Sequence, residues 1–408
     1  MQRHFSLKKT FAALKYPNYR LWFVGQMASL VGTWMQSTAQ GYLVYQLTQS
    51  PAYLGYVGFA AGVPSWLFML YGGVIADRIA RRTLLIITQA AMMALAFILA
   101  GLTFAGVVQP WHIVVLAFAL GIANAFDAPA RQAFVLEMVE REDLANAIAL
   151  NSIMFNSATA VGPAVAGVAY ALVGPAWCFT INGLSFLAVI AALAAMKLKP
   201  FEARVRSTSA LQDLREGLAY VGRQSIIRAL ISIALVASLF GVAYATLIPA
   251  WAVTVLGGDS TTAGLMQSAR GVGSLLAALM IASLGRFRFK GRLMTIGMFT
   301  FPLLLIVFAF VRWVPLALLV LVGVGWGIMV LFNMLNTLIQ TTVSDVLRGR
   351  VMGIYSLTFF GAVPIGALLA GQLADRAGEP ATVVLTALIP LAYAVWLWLR
   401  APRLRKLE

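Results

Sequence analysis

Along this chain apolar residues do not alternate with polar ones. They run together in blocks of about 20 or more, separated by short polar stretches. A helix rising about 1.5 Å per residue needs roughly 20 residues to cross a hydrocarbon core ~30 Å thick. Twelve blocks meet that length: 20–48, 52–76, 83–106, 110–131, 144–171, 175–196, 226–250, 263–284, 293–311, 314–337, 351–374 and 380–399. The pattern predicts an all-α integral membrane protein with twelve transmembrane helices. Pro64, Pro163, Pro249, Pro302 and Pro364 lie inside blocks, which membrane helices tolerate. The first block follows Arg3, Lys8, Lys9 and Lys15 and starts near Leu21. It is too long for the apolar core of a signal peptide and is read as a retained span.

The longest polar interruption, Lys197 to Arg223, sits at mid-chain. Within it Leu211, Leu214, Leu218 and Val221 recur at helical spacing opposite Asp213, Arg215 and Glu216. That spacing predicts an amphipathic helix on the membrane surface; a plain solvated linker is the other reading. The division expected is a six-helix bundle over 1–196, a linker over 197–225 and a second six-helix bundle over 226–408. Ala60, Gly62, Val63, Ser65 and Leu67 recur as Ala269, Gly271, Val272, Ser274 and Leu276, at an offset of 209. Gly162 and Gly167 recur as Gly366 and Gly371, at an offset of 204. Both offsets are about half the chain, so the two bundles are expected to be pseudo-symmetric repeats with a binding site between them.

Charge sets the orientation. Of 30 Lys and Arg residues, 27 fall in the N-terminal segment, in every second loop, in the central linker or in the tail. The positive-inside rule then puts both termini in the cytoplasm. The net charge of +16 would suggest nucleic acid in a soluble protein. Here topology accounts for it, and no nucleic-acid partner is expected. Charged residues are only 11% of the chain, against about 25% in soluble domains. Cys178 is the sole cysteine, and His4 and His112 are far apart. No disulfide, metal centre or other cofactor is expected.

Gly72-Gly73-Val74-Ile75-Ala76-Asp77-Arg78-Ile79-Ala80-Arg81-Arg82 joins blocks two and three. It resembles the signature of the major facilitator superfamily in Gly73, Asp77, Arg78, Arg81 and Arg82, with Ala80 where that family usually has Gly. Asp77 could cap a helix or pair with Arg. The resemblance implies a latch between bundles at the cytoplasmic side; a loop that only anchors topology is the alternative. Gly162-Pro163-Ala164-Val165-Ala166-Gly167 resembles the exporter motif of that superfamily, with Ala166 in place of a second Gly. Asn124 to Gln132, Asp143-Leu144-Ala145-Asn146-Ala147 and Arg348-Gly349-Arg350 resemble the bacterial branch containing the enterobactin exporter and macrolide efflux proteins.

Further candidates rest on single residues. Arg270 is the one charge well inside a block, where insertion costs about 2.5–3.5 kcal/mol. It could meet an anionic substrate or a coupling carboxylate, or serve as a structural partner of backbone carbonyls. Asp127 is four residues before Arg131, so they share a helix face. The resemblance implies a relay with Arg78; a surface ion pair worth less than about 1 kcal/mol is the bland reading. Gln36, Gln40, Asn333 and Asn336 supply uncharged polar groups on spans that, in the resembling fold, line the cavity. No Asp or Glu occupies a span centre, so proton antiport is implied by the resemblance alone.

Gly323, Gly325 and Gly327 alternate inside apolar sequence and no Walker motif occurs, which argues against ATP hydrolysis. An enzyme is not expected. The reading is a monomeric secondary exporter of a drug-like or siderophore-like small molecule, working by alternating access in the bacterial inner membrane. A facilitator or importer of a small nutrient, and a receptor that does not transport, are the alternatives.

Overall fold

The computed structural model describes residues 11–198, 210–285 and 287–407, and among them every regular element is helical. Thirteen helices follow in chain order. They are α1 (Pro17–Thr48), α2 (Pro51–Arg78), α3 (Arg81–Phe104), α4 (Pro110–Met138), α5 (Leu144–Val173), α6 (Pro175–Ala195) and α7 (Ala210–Arg223). The interrupted α8 (Ser225–Thr254) is followed by α9 (Ser260–Leu284), α10 (Lys290–Phe310), α11 (Val314–Thr342), α12 (Asp345–Ala377) and α13 (Glu379–Arg400). Each of the twelve apolar blocks falls on a helix. By length and composition, ten of the helices, α3 to α6 and α8 to α13, can cross a membrane. Large apolar side chains such as Leu172 and Leu319 stand exposed on their outer faces, as a lipid-facing surface requires.

Proline and glycine punctuate the chain where helix physics allows. Pro at the first or second position opens α1, α2, α4, α6, α11 and α13; its missing N–H would be unpaired there anyway. Gly174 (φ 86°) ends α5 and starts α6, and Gly378 (φ 80°) does the same for α12 and α13. These left-handed positions suit glycine alone, and they too are 204 residues apart.

Several boundaries differ from expectation. Asp77 and Arg78 belong to the last turn of α2 rather than to a loop, and Ala80 occupies the N-cap of α3. Arg131 lies inside α4, and Arg348 and Arg350 lie inside α12. Helices outrun the apolar blocks because a charged turn beyond the hydrocarbon still makes its own backbone bonds; Arg348 pairs with Asp345 three residues earlier.

The helix expected in the linker is α7, with a different buried face. Val221 and Gly217 are buried, whereas Leu218 is 53% exposed. Gly217 abuts Ile354 and Arg350 of α12, and Glu216 pairs with Arg350 at 2.5 Å. The side chains of Leu211 and Asp213 lie outside the described residues.

The seventh block, expected as one continuous helix, is broken in α8. An α-helical stretch Ser225–Val236 gives way to a π turn, Ala237–Gly241, then to a 3-10 stretch, Ala243–Leu247, before the helix resumes at Ile248–Thr254. Two pressures meet there. Gly366 of α12 packs on the Leu239 carbonyl, and Phe301 of α10 fills the space beside Gly241. Pro249 then removes a backbone donor.

Among the first six helices, α1 and α3 pack on α6, and α2 packs on α4. Among the last, α11 packs on α9 and α10, and α12 on α8. Two long seams join the sets: α2 with α12, and α5 with α9. They are the same contact made twice. Gly371 sits on the Pro51 carbonyl and Gly167 on the Ser260 carbonyl, each so close that an added Cβ would lie 2.7 Å from the oxygen. Gly55 meets Ala367 and Gly371, and Gly264 meets Pro163 and Gly167. Gly62 meets Pro364, and Gly271 meets Ala160. Every pair maps onto its counterpart by the offsets 209 and 204.

Candidate functional site

The basic motif between α2 and α3 acts, where it is described, within the first six helices. Arg81 Nη1 donates to Glu137 Oε1 at 2.6 Å, tying the start of α3 to the end of α4. Arg82 donates to the Ala194 carbonyl at 2.7 Å and to Met196 at 3.4 Å. These are end carbonyls of α6, where a cation is favoured by orphan acceptors and the helix dipole. The side chains of Asp77 and Arg78, and the environment of Gly73, lie outside the described residues.

Asp127 is 1% exposed. Its Oδ1 accepts from Thr88 Oγ1 and Gln89 Nε2, both at 2.9 Å, and Arg131 Nε stands 3.5 Å from Oδ2. The surface-pair reading is thus corrected: the carboxylate is inside the helix packing, three turns before the end of α4. The four-residue spacing found Arg131. Nothing local to Asp127 pointed to Thr88 and Gln89, which α3 delivers from 38 and 39 residues away.

The exporter-like motif on α5 lies at a junction of three helices. Gly162 admits the backbone of α1 at Val31 and Met35 and the Cβ of Trp34, while Pro163 and Gly167 meet α9. Small residues let these backbones approach. The seam is supplemented by Ser260 Oγ donating to the Gly167 carbonyl at 3.3 Å and, at the other seam, by Ser50 Oγ donating to Asp375 Oδ1 at 2.6 Å. The contacts of Pro51 with Gly371 and of Ser260 with Gly167 lie at the starts of α2 and α9. Past Gly62 and Pro364, α2 and α12 leave a cavity of about 290 Å³ lined by Phe59, Val63, Trp66, Gly361, Pro364 and Ile365.

The polar candidates divide. Gln36 is buried and its Oε1 accepts from Asn182 Nδ2 of α6 at 2.7 Å. An interhelical bond of this kind contributes about 0.6 kcal/mol, and it engages Gln36 within the first six helices. Gln40 is buried as well. Asn336 accepts from Gln340 at 2.6 Å, one turn along α11, and Asn333 is half-buried. Arg270, half-buried on α9, makes no side-chain hydrogen bond or ion pair among the described residues.

One anchoring device was missed by the sequence reading. Ala13 N donates to Asn146 Oδ1 at 2.9 Å, Tyr16 donates to Asp143 Oδ2 at 2.9 Å, and Lys15 pairs with the same oxygen at 2.6 Å. The stretch from Asp143 to Ala147 therefore clamps the turn before α1 onto the start of α5. The Lys15 ammonium, then the Tyr16 hydroxyl, hold the Asp143 carboxyl below its usual range, and Asp143 raises Lys15. The signal existed as an unexplained pair of short polar residues. Among the described residues no three His, Cys, Asp or Glu side chains converge to hold a metal.

Residues 8–408 match the family described as transmembrane secretion effector. The multidrug efflux pump Tap of Mycolicibacterium fortuitum is 29% identical over 378 residues, covering 90% of this chain and 91% of that protein. The staphyloferrin A transporter of Staphylococcus aureus is 25% identical, covering 88% and 90%. Among solved structures, a D-xylose–proton symporter superposes with a TM-score of 0.71 at 16% identity, covering 92% of this chain and 97% of that one. A POT family transporter reaches 0.76 at 12% identity, covering 96% and 97%.

Proposed function

This chain belongs to the transmembrane secretion effector family, a bacterial exporter branch of the major facilitator superfamily, and on that footing we propose that it moves a drug-like or siderophore-like small molecule out of the cytoplasm by alternating access. It is a multi-pass membrane transport protein and not an enzyme. In this reading twelve spans form two six-helix bundles, 1–196 and 226–408, and α7 in the linker rides on the second. The repeated seam carries the reading. Two copies of one glycine-lined contact, α2 on α12 and α5 on α9, give a pseudo-twofold hinge between bundles.

The seams close at the end bearing Ser50, Ser260 and Asp375. The basic residues gather at the other end, which the positive-inside rule assigns to the cytoplasm. In this reading the arrangement is inward-facing. Protons are the proposed counter-ion; each charge crossing 100 mV supplies about 2.3 kcal/mol. Everted membrane vesicles test the reading. Dye substrates of efflux pumps should accumulate in them under a pH gradient, and nigericin should abolish accumulation. Uptake by right-side-out vesicles alone would make the protein an importer.

A further inference from the structure

The cavity between α2 and α12 has one wall on each helix. Phe59, Val63 and Trp66 follow at spacings of four and three residues and so share a face of α2. Gly361, Pro364 and Ile365 do the same on α12. The walls are open rather than closed core: Trp66 is 47% exposed and Ile365 41%. The edge of the Trp66 indole lies over Gly361, where an added Cβ would stand 3.0 Å from its Cδ1 and 3.1 Å from its Nε1. On the opposite face of α2, Gly121 of α4 packs against the Ala61 carbonyl and the Pro64 ring, which braces the wall. At one limit the cavity is shut by the contact of Gly62 with Pro364.

The repeat shows that the hinge does not require these rings. At the offset of 209, Phe59 and Trp66 correspond to Ser268 and Leu275. At the offset of 204, Gly361 and Pro364 correspond to Ser157 and Ala160. The seam of α5 with α9 closes on Gly271, Thr159 and Ala160, so small residues suffice for the contact. Two aromatic rings and a proline at the other seam are surplus to packing and are explained by an occupant.

Size and chemistry narrow that occupant. An apolar cavity of about 150 Å³ takes one benzene, so about 290 Å³ suits two fused rings. Flat aromatic faces favour an aromatic partner in offset or edge-on contact. Apart from the indole, no polar side chain lines the cavity, so a charge placed there would lose its water without a partner. We propose that this cavity is a ring-binding pocket of the transport site, taking an uncharged, flat, two-ring aromatic part of the cargo between Trp66 and Pro364. Because its two walls belong to different halves of the chain, a bound ring holds α2 and α12 at this spacing and favours the state in which they are so placed. The word cargo rests on the export reading; the binding stands apart from it.

The test places a thiol in the wall with Val63→Cys in the full chain, in phospholipid nanodiscs, and follows its labelling by N-ethylmaleimide. The native Cys178 is buried, so the unsubstituted chain gives the background. Leu319→Cys, on the exposed apolar surface, controls for probes dissolved in the bilayer. The probes are benzyl alcohol, 2-naphthylmethanol, 1-pyrenemethanol and 2-naphthalenesulfonate. At about ten times its dissociation constant, 2-naphthylmethanol should slow labelling of Val63→Cys about tenfold by mass action and spare Leu319→Cys. The one-ring, four-ring and charged probes, at the same concentration, should protect severalfold less. Adding Trp66→Ala should shift the best protection from the two-ring to the four-ring probe, and adding Gly361→Val should abolish protection by 2-naphthylmethanol. A merely structural Trp66 would leave the ring-size preference unmoved. If the Gly361→Val chain does not fold, Trp66→Ala decides by that preference. Equal protection at both thiols, no preference for ring size, or a preference unchanged in Trp66→Ala would overturn the proposal. So would labelling of Val63→Cys that is fast in detergent and blocked in nanodiscs without any probe, which would make the occupant a lipid chain. In proteoliposomes, selective protection by 2-naphthylmethanol without movement of any aromatic probe would uphold the pocket and sink the export reading. Movement of such probes without protection would do the opposite.

Discussion

Asp127 illustrates what one buried charge demands. With Thr88, Gln89 and Arg131 around it and 1% exposure, its removal leaves two polar groups and a guanidinium short of an acceptor. Asp127→Ala should cost about 3 kcal/mol, read as a lower thermal midpoint in detergent; Asp127→Asn, which keeps one acceptor oxygen, should cost roughly half. The Lys15–Asp143 clamp is different, since it is exposed and its worth lies in positioning rather than in stability. The folded carboxyl of Asp143 titrates below its usual value of 3.8 and Lys15 above its usual 10.5. The clamp is thus fully present at neutral pH. It is lost on the acid side as pH falls through the depressed Asp143 value, and on the alkaline side as pH rises through the raised Lys15 value. Hydrogen exchange at Ala13, whose amide bonds Asn146, should stay slow at pH 5 in the intact chain and become fast at neutral pH in Asp143→Asn.

Among elements, the glycines separate contacts that can yield from contacts that cannot. A Cβ on Gly217 would meet the end of the Ile354 side chain at 2.8 Å, and that side chain can turn aside. A Cβ on Gly264 would meet the Pro163 carbonyl and the backbone of Gly167, so one of two helices must move. Gly217→Ala should leave transport within about twofold, since flexible side chains absorb a methyl at well under about 1.5 kcal/mol. Gly264→Val should cut transport by tenfold or more and should not be rescued by overexpression; transport assays at matched protein levels separate the two. By the repeat, Gly55→Val should behave as Gly264→Val does. The breaking of α8 belongs to the same scale. Its sequence is apolar and helix-compatible, and the π turn exists because α12 and α10 press on Leu239 and Gly241.

For the whole molecule, the state observed depends on which end the seams close. A short bifunctional thiol reagent joining Ser50→Cys to Asp375→Cys should hold the outer end shut, stop export and leave binding from the cytoplasmic side intact; reversal of the cross-link should restore export. Cross-linking without loss of transport would remove the hinge proposed here. Apolar run length by itself determined the long apolar helices and their order, though not their limits, because a bilayer accepts only backbone that satisfies its own hydrogen bonds. The glycine offsets carried the repeat for the same reason: close approach demands small residues wherever two helices touch, and the chain spells them out twice. What a residue faces is decided by helices far away in sequence. So the burial of Asp127, the docking of α7 through Gly217 and the break in α8 came only from the assembled structure, since each depends on neighbours that folding alone brings within a few ångströms.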